Sequence, residues 1–333
     1  MSSFPLLQLP LIPLGIIIRQ LEFHQLIALS LQFTRIHNIL KLFKIPIETF
    51  FWEITRNFWI RISLNTHSAR PMRFNITYDR ADGATRSLKL SKGKEKIAST
   101  QDGMIVNIDC AQIDDVSRME MCSKLTEHLL QIIKVDNYIL ESDTIQRANL
   151  LSENFLVWKI TNRFEKIRIS CSDGYELTFE DVEFLLGGVS CDHLHLNCNR
   201  NEFPDFEYNQ PLVHPRITMY HCEWLKMEST LESESKKIAM SNEDITSEDL
   251  NSILRTWQDT EKLGNLEEFK IDLYDHFDMI RDQIMDGILE VEVENPKERK
   301  NENGGDRREN ARKTLLLDRV FILTQMFLDE GLL

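Results

Sequence analysis

Glycine is scarce in this chain, with 12 of 333 residues, and no glycine-rich loop of the kind that holds a phosphate is present. The sequence also lacks a GxSxG elbow and an HExxH motif. No carboxylate, serine or cysteine is singled out by a recognisable catalytic motif. These absences give an enzyme active site no support, so we expect a non-catalytic protein with no cofactor.

Closely spaced cysteines and long apolar runs are missing as well. The six cysteines are at least seven residues apart and include no CxxC, so no disulfide framework is indicated. The apolar start from Leu9 to Ile18 is interrupted by Pro10 and Pro13, and it is shorter than the roughly 20 residues that span a bilayer. We expect a cytoplasmic or nuclear protein that is not secreted and has no membrane partner.

One cluster contains the residue types that zinc accepts. In a regular strand Cys191, His193 and His195 lie on one side and Leu194 and Leu196 on the other, so the cluster does not converge without a bend. We interpret it as buried cysteines and a solvated histidine row, and we predict no metal site. The cluster consists of Cys191, His193, His195, Cys198, His214, His221 and Cys222.

Charge is divided unevenly along the chain. The formal net charge is −14, yet residues 1–100 contain 14 Lys and Arg against 6 Asp and Glu. Residues 201–290 contain 8 Lys and Arg against 21 Asp and Glu, which indicates either a basic partner or solvated acidic helix faces. Basic and aromatic residues are interleaved over 56–80, as in a nucleic-acid site, but a strand with a buried aromatic side gives the same pattern. We favour the strand, which argues against nucleic acid as a partner.

Three short helices are predicted over residues 10–45. Leu14, Ile17, Ile18 and Leu21 follow helical spacing, and similar stripes occur in two further segments that end before Pro46. A unit of this size is near the lower limit for folding alone, so its spare apolar residues need another surface. That surface is either a partner protein or the rest of this chain, and periodicity does not decide between them.

Short alternating runs after residue 50 predict β-hairpins, and residues 119–133 return to helical spacing. Five later segments share one spacing, in which an apolar or small residue is followed three and five positions on by apolar residues. Their starts lie 27, 23, 21 and 31 residues apart. The segments begin at Phe164, Cys191, His214, Ser235 and Leu266.

Matching helix starts lie between these segments. Thr178 and Thr246 are predicted N-caps, each followed three residues later by an Asp. Gly187 and Gly188 are interpreted as a helix C-cap. Strand and helix units in this order favour an irregular solenoid that presents an extended surface to a protein ligand, although a compact α/β domain gives the same alternation.

Residues 4–44 (FPLLQLPLIPLGIIIRQLEFHQLIALSLQFTRIHNILKLFK) resemble an F-box of the large nematode type. The match rests on Leu9-Pro10, Leu26, Leu29-Ser30-Leu31, Arg35 and Asn38-Ile39-Leu40-Lys41. The sequence departs from the family pattern at His24, at Gln32-Phe33-Thr34 and at Gly15, which weakens the first helix.

Later segments are similar to the F-box-associated domain, type 2. They are the stretch around Phe164 to Ser170, the Leu177-Thr178 helix start, and ITSEDLNSILRTWQ (245–258) followed by LEEFKIDL (266–273). The expected fold class is α+β, with a small three-helix F-box followed by an irregular leucine-rich-repeat-like α/β domain. The expected boundaries are an F-box at 4–45, a β-hairpin region at 50–118, a repeat-like F-box-associated domain at 119–290, a disordered linker at 294–313 and a C-terminal helix at 314–333.

The resemblance implies the substrate-recognition subunit of an SCF-type cullin-RING ubiquitin ligase. The F-box would bind a Skp-family adaptor, the adaptor would connect to the cullin scaffold, and the C-terminal domain would bind a protein substrate that the sequence does not identify. The alternative is a non-catalytic interaction protein that assembles no ligase. The expected adaptor-binding residues are Leu9, Pro10, Leu14, Ile17, Leu21, Leu26, Leu29 and Ser30.

Overall fold

The chain divides into two compact units, Met1–Ser170 and Cys171–Leu333. Each unit combines helices with β-strands, which confirms the α+β class. The boundary after Ser170 falls inside the segment 119–290 that the sequence assigns to one domain. The computed structural model describes residues 10–55, 60–65, 72–77, 97–99, 105–109, 115–143, 156–170, 178–197, 206–242, 244–258, 263–272, 283–284 and 286, so the predicted linker 294–313 and C-terminal helix 314–333 lie outside the described residues.

The three predicted helices at the start of the chain are confirmed. They are α1 (Leu11–Gln20), α2 (Phe23–Gln32) and α3 (Thr34–Phe43). A capping box fixes the start of α2, where the Glu22 amide donates to Gln25 Oε1 over 3.1 Å. We call α1–α3 the helical segment.

The first unit contains a mixed sheet. Among the described residues its strand order is β7-β6-β1-β2-β3-β5-β4. β2 pairs antiparallel with β1 and with β3, and the β2–β3 pair is a hairpin between two of the predicted alternating runs, whereas β5 pairs parallel with β3. The bounds are β1 (Ile45–Ile54), β2 (Ile60–Asn65), β3 (Met72–Thr77), β4 (Ile97–Ser99), β5 (Ile105–Asp109), α4 (Asp115–Ile132), β6 (Ile133–Ser142), α5 (Leu156–Ile160) and β7 (Arg163–Ser170). Residues 87–90, one of the short alternating runs that predict β-hairpins after residue 50, lie outside the described residues.

The core of the first unit forms where α4 lies against β1. β1 pairs with β6 in parallel, and Phe50 and Trp52 on β1 are completely buried. The Trp52 indole donates to Thr126 Oγ1 on α4 over 3.2 Å, so a buried polar group finds its partner. The Trp52 ring also stacks on Tyr138 of β6. Burial of these large rings explains why β1 reads as an apolar run.

The second unit is built on four described parallel strands in the order β8-β9-β10-β11. Together with β7 in the first unit, each of these strands overlaps one of the five predicted segments, although the segments that begin at His214, Ser235 and Leu266 start before β9, β10 and β11. On one side, Leu194, Ile217, Ile238 and Phe269 form a buried row. The bounds are α6 (Phe179–Glu183), a π-helical turn (Phe184–Gly188), β8 (Ser190–Asn197), β9 (Arg216–Tyr220), α7 (Met227–Leu231), β10 (Lys237–Ser241), α8 (Ser247–Gln258) and β11 (Glu268–Asp272).

The two predicted N-caps are confirmed. Thr178 Oγ1 accepts from the Asp181 amide over 3.2 Å, and the Thr178 amide donates back to the Asp181 carboxylate over 3.0 Å. Thr246 and Asp249 make the same reciprocal pair at the start of α8. The cap satisfies amides that the first helical turn leaves without partners.

The interpretation of Gly187 and Gly188 as a helix C-cap is wrong. Both glycines lie within the π-helical turn, and neither adopts the left-handed backbone that a glycine cap supplies. A Cβ on Gly188 would lie 2.8 Å from Cδ2 of Phe184, whereas one on Gly187 would meet nothing within 4 Å. A side chain at position 188 would therefore require the Phe184 ring to shift.

Candidate interaction surfaces

The expected adaptor-binding residues are divided between the interior and the surface of the helical segment. Leu14 and Leu26 are 0% and 9% exposed, and the buried Ser30 hydroxyl donates to the Ile27 carbonyl over 2.7 Å. Packing within the chain thus occupies these three side chains, and the adaptor contact expected of them stays a prediction. Of the others, Ile17, Leu21 and Leu29 are half-buried, Pro10 is exposed and Leu9 lies outside the described residues.

The end of α3 presents apolar side chains that the sequence analysis missed. Leu42 is 71% exposed and Phe43 is 51% exposed, and both flanking residues, Lys41 and Lys44, are exposed. Lys44 has a φ of 37°, and its amide donates to the Leu40 carbonyl over 2.8 Å, so the chain turns sharply here into β1. We call residues Lys41–Lys44 the α3 terminus.

A signal for part of this surface was present in the sequence. The apolar stripe of α3 includes Ile36, Ile39 and Leu40, and Leu42 lies away from that stripe. A large apolar side chain on the polar side of a short helix indicates a contact outside the helix's own packing. Phe43 does follow the stripe, but the helix ends there and leaves the ring exposed.

A surface groove adjoins the α3 terminus, lined by Lys41, Lys44, Glu127, Leu130 and Gln131. It lies where the ends of α3 and α4 meet within the first unit. The lining combines two ammonium groups, one carboxylate and an apolar side chain, so its net charge is positive. Such a surface suits a partner that offers carboxylates next to an apolar group.

Two stacked histidines join α3 to α4 beneath this groove. The ring centroids of His37 and His128 are 4.1 Å apart, and His37 Nε2 lies 3.0 Å from Gln131 Oε1. Burial lowers the pKa of His128 to about 4, with further contributions from His37 and Lys41. Burial also lowers the pKa of His37, and Lys41 acts in the same direction. Both rings are therefore neutral at pH 7, and the helical segment is attached to the rest of the first unit.

The described part of the basic and aromatic segment 56–80 forms ordinary strands. Phe74 on β3 is buried, whereas Arg73 beside it is exposed. Arg61 on β2 donates to the Glu53 carboxylate over 2.7 Å. This is the arrangement expected of strands with a buried aromatic side. Arg56, Phe58, Trp59, Arg70 and Tyr78 lie outside the described residues.

The second unit has a half-exposed side of its sheet opposite the buried rows. Strand register aligns His193 with Arg216 and Lys237, and aligns His195 with Thr218 and Ala239. His193 Nε2 lies 3.1 Å from Thr218 Oγ1, and the His195 ring lies beside Tyr220. We call this side the strand face. Its described side chains are His193, His195, Asn197, Arg216, Thr218, Tyr220, Lys237, Ala239, Glu268 and Lys270.

Positive charge is concentrated on the strand face. Glu268 is shared by two lysines: Lys237 donates to it over 2.7 Å and Lys270 forms a second ion pair with it. These hydrogen bonds lower the pKa of Glu268 to about 2, so the carboxylate stays ionised at any physiological pH. Arg216 is exposed and makes no ion pair with a described residue. The face therefore carries three cationic groups for one described carboxylate.

The cluster of Cys and His residues does not follow the strict alternation of sides that a regular strand would give. Cys191 is buried, and its Sγ lies 3.5 Å from Nδ1 of His214, whose Nε2 lies 2.9 Å from the Leu185 carbonyl. The first residues of β8 depart from strict alternation, so Cys191 joins the core while His193 and His195 stay half-exposed. This corrects the expectation that all three share one side.

Burial controls the chemistry of the buried cysteines. It raises the pKa of Cys191 to about 12 and lowers the pKa of His214, so the two side chains form a neutral pair. The pKa of Cys222 is also raised by burial, and its thiol donates to the Ser241 carbonyl over 3.3 Å. Cys198 lies outside the described residues. Within the described ranges no three His, Cys, Asp or Glu residues converge as metal ligands would.

No protein-family model, curated protein or solved structure matches this chain. Among the helices that the structure describes, none is both long enough and apolar enough to cross a membrane.

Proposed function

We propose that this chain is the substrate-recognition subunit of an SCF-type cullin-RING ubiquitin ligase. In this proposal the helical segment, as an F-box, binds a Skp-family adaptor that connects to the cullin scaffold. The second unit, as an irregular leucine-rich-repeat-like domain, holds a protein substrate. The observation that carries the proposal is the α3 terminus, where Leu42 and Phe43 are exposed between two lysines at the end of a three-helix segment.

Exposure of the Leu42 and Phe43 side chains to water has a free-energy cost. If a partner covers Leu42 and Phe43, the free energy of the complex becomes more favourable by about 25 cal/mol for each Å² of apolar surface removed from water. The flanking Lys41 and Lys44 favour an acidic partner and disfavour a basic one. The resemblance implies a small, acidic Skp-family adaptor. Such an adaptor suits the two lysines and could cover the apolar side chains. The receptor itself then needs no catalytic group, because tethering raises the local concentration of substrate lysines.

The alternative, an interaction protein that assembles no ligase, also has an observation in its favour. His37 and Gln131 contact each other across α3 and α4, so the helical segment belongs partly to the fold of the first unit. Both accounts accept this packing, and they differ only in what covers the α3 terminus.

Reconstitution with purified components distinguishes the two accounts. The full chain is immobilised and incubated with cullin, with and without a Skp-family adaptor. The proposal predicts that cullin is captured only when the adaptor is present. In Leu42→Asp the capture is lost, whereas the matched control Asn38→Asp, which adds the same charge at an exposed position of the same helix, captures normally. Equal capture by Leu42→Asp would contradict the proposal, and absence of adaptor binding by the wild-type chain would support the alternative.

A further inference from the structure

The strand face differs from the usual environment of a parallel sheet. Parallel strands are normally covered on both sides, and their residues are then apolar on both sides. Here β8–β11 have one buried side, while the other bears polar and charged side chains that remain half-exposed. Such a side is suited to an external ligand rather than to a covering helix.

The charge of this face is opposite to that of the unit that carries it. The described residues 178–286 include six Lys and Arg, and three of these, Arg216, Lys237 and Lys270, lie on the strand face. The surrounding described surface is dominated by Asp and Glu residues. The acidic excess of residues 201–290 by itself indicates either a basic partner or solvated acidic helix faces. The register places cations on the strand face instead, so the charge complementarity is with an acidic ligand.

The dimensions favour an extended polypeptide. Neighbouring strands are about 4.8 Å apart, and alternate residues of an extended chain are about 6.7 Å apart. Arg216 on β9 and Lys270 on β11 are two strands apart in the sheet order, which is roughly 10 Å across the strands. An extended segment lying across the sheet can therefore place successive outward carboxylates near different cations. His195 on β8 and Tyr220 on β9 add ring surfaces on the same face, outside the span from Arg216 to Lys270.

Nucleic acid also carries negative charge, but the whole chain disfavours it. A duplex bears a charge every 1.7 Å or so along its axis and extends beyond any small patch. At physiological ionic strength charges interact over about 8 Å, so a long polyanion on this face would also experience the acidic surface around it. A short acidic segment would interact mainly with Arg216 and with Lys237 and Lys270, whose two charges exceed that of the Glu268 carboxylate they share.

We propose that the strand face of the second unit binds an extended acidic segment of the protein substrate, with Arg216, Lys237 and Lys270 facing its carboxylates. This inference rests on the proposed function in one respect: the bound segment belongs to a substrate only if the chain is a ligase receptor. The binding itself requires only the face.

Selection from a random peptide library displayed on phage tests the inference with the full chain as bait. The wild-type chain is expected to enrich Asp and Glu in the selected peptides at least threefold over the starting library. Arg216→Glu combined with Lys270→Glu should abolish or reverse this enrichment. The control Lys226→Glu changes a cation of the same unit outside the face and should select the same acidic peptides as wild type.

Three results would overturn the inference: no acidic enrichment by the wild-type chain, unchanged enrichment after charge reversal, or binding of a labelled 20-nucleotide RNA that charge reversal abolishes. The charge-reversed variant is also tested for adaptor binding, which it should retain because the α3 terminus is intact. If the wild-type chain binds the adaptor but selects no acidic peptides, only the strand-face inference is contradicted. Acidic peptide selection without adaptor binding contradicts the ligase proposal alone.

Discussion

His37 and His128 show how two titratable side chains can attach one helix to another. Their stack leaves His37 Nδ1 and His128 Nε2 buried without hydrogen-bond partners in the described structure. Protonation of either ring would place a charge in a site already near Lys41. The contact is therefore stable only while both rings are neutral.

The pH dependence of stability follows from these pKa values. Because the folded pKa of His128 is about 4 and the unfolded value is near 6.5, the unfolded chain binds more protons between these limits. Stability is present above pH 6.5 and decreases as the pH falls towards 4. From pH 7 to pH 5 this one residue should account for about 2 kcal/mol of the free energy of unfolding. Urea denaturation of wild type and His128→Phe checks this, and equal pH slopes would contradict the account.

Gly187 and Gly188 provide a matched pair of substitutions. Gly188→Ala should destabilise the second unit by about 1–3 kcal/mol, because its Cβ would lie too close to the Phe184 ring. Gly187→Ala meets no atom within 4 Å and should be neutral or slightly stabilising, since it reduces the entropy of the unfolded chain. Thermal denaturation of the two variants measures the difference. Equal melting temperatures would show that the ring moves aside without cost.

At the scale of elements, the caps of α6 and α8 were recognisable because their chemistry is local. Thr246→Ala should lower the free energy of unfolding by about 1 kcal/mol, because the Asp249 amide loses its hydroxyl acceptor. Thr246→Ser keeps an acceptor at the same position and should retain most of the stability. Chemical denaturation of both variants provides the comparison, and equal losses would mean that the hydroxyl does not stabilise α8.

The sequence also predicted the helices α1–α3 and the five strands β7–β11, because each depends on a short apolar period. It could not predict the parallel pairing of β1 with β6 or of β3 with β5. Those pairings join segments far apart in the chain, and no local pattern specifies which strands become neighbours. The π-helical turn at Phe184–Gly188 was missed for a related reason, since a glycine pair also fits the commoner C-cap.

Which side chains contact a partner is harder to predict from the sequence than where the helices lie. Apolar periodicity identifies the side of a helix that is buried, but it does not say whether the chain or a partner buries it. Leu14 and Leu26 follow the period and are buried by the chain itself, whereas Leu42 lies off the period and is exposed. The strand face was equally hidden, because only the strand order places Arg216 and Lys270 on the same face of the sheet.

In the proposed function, the uneven charge of the chain as a whole separates two kinds of contact. The α3 terminus presents Lys41 and Lys44, which should speed the approach of an acidic adaptor. Lys41→Glu combined with Lys44→Glu should slow association about tenfold in low salt, with a smaller difference in high salt because ions screen the attraction. Stopped-flow measurements at two salt concentrations check this, with the exposed Lys159→Glu as the control. An unchanged rate in low salt would contradict electrostatic steering.

We propose that the α3 terminus binds the adaptor. Calorimetric titration of the full chain with a purified Skp-family adaptor measures this binding. The account predicts one-to-one binding by the wild-type chain and by Asn38→Asp, and at least tenfold weaker binding by Leu42→Asp, which corresponds to about 1.4 kcal/mol or more. Circular dichroism should show the same folded content in all three proteins, because Leu42 and Asn38 are exposed. An equal dissociation constant for Leu42→Asp, or no binding by the wild-type chain, would contradict the claim.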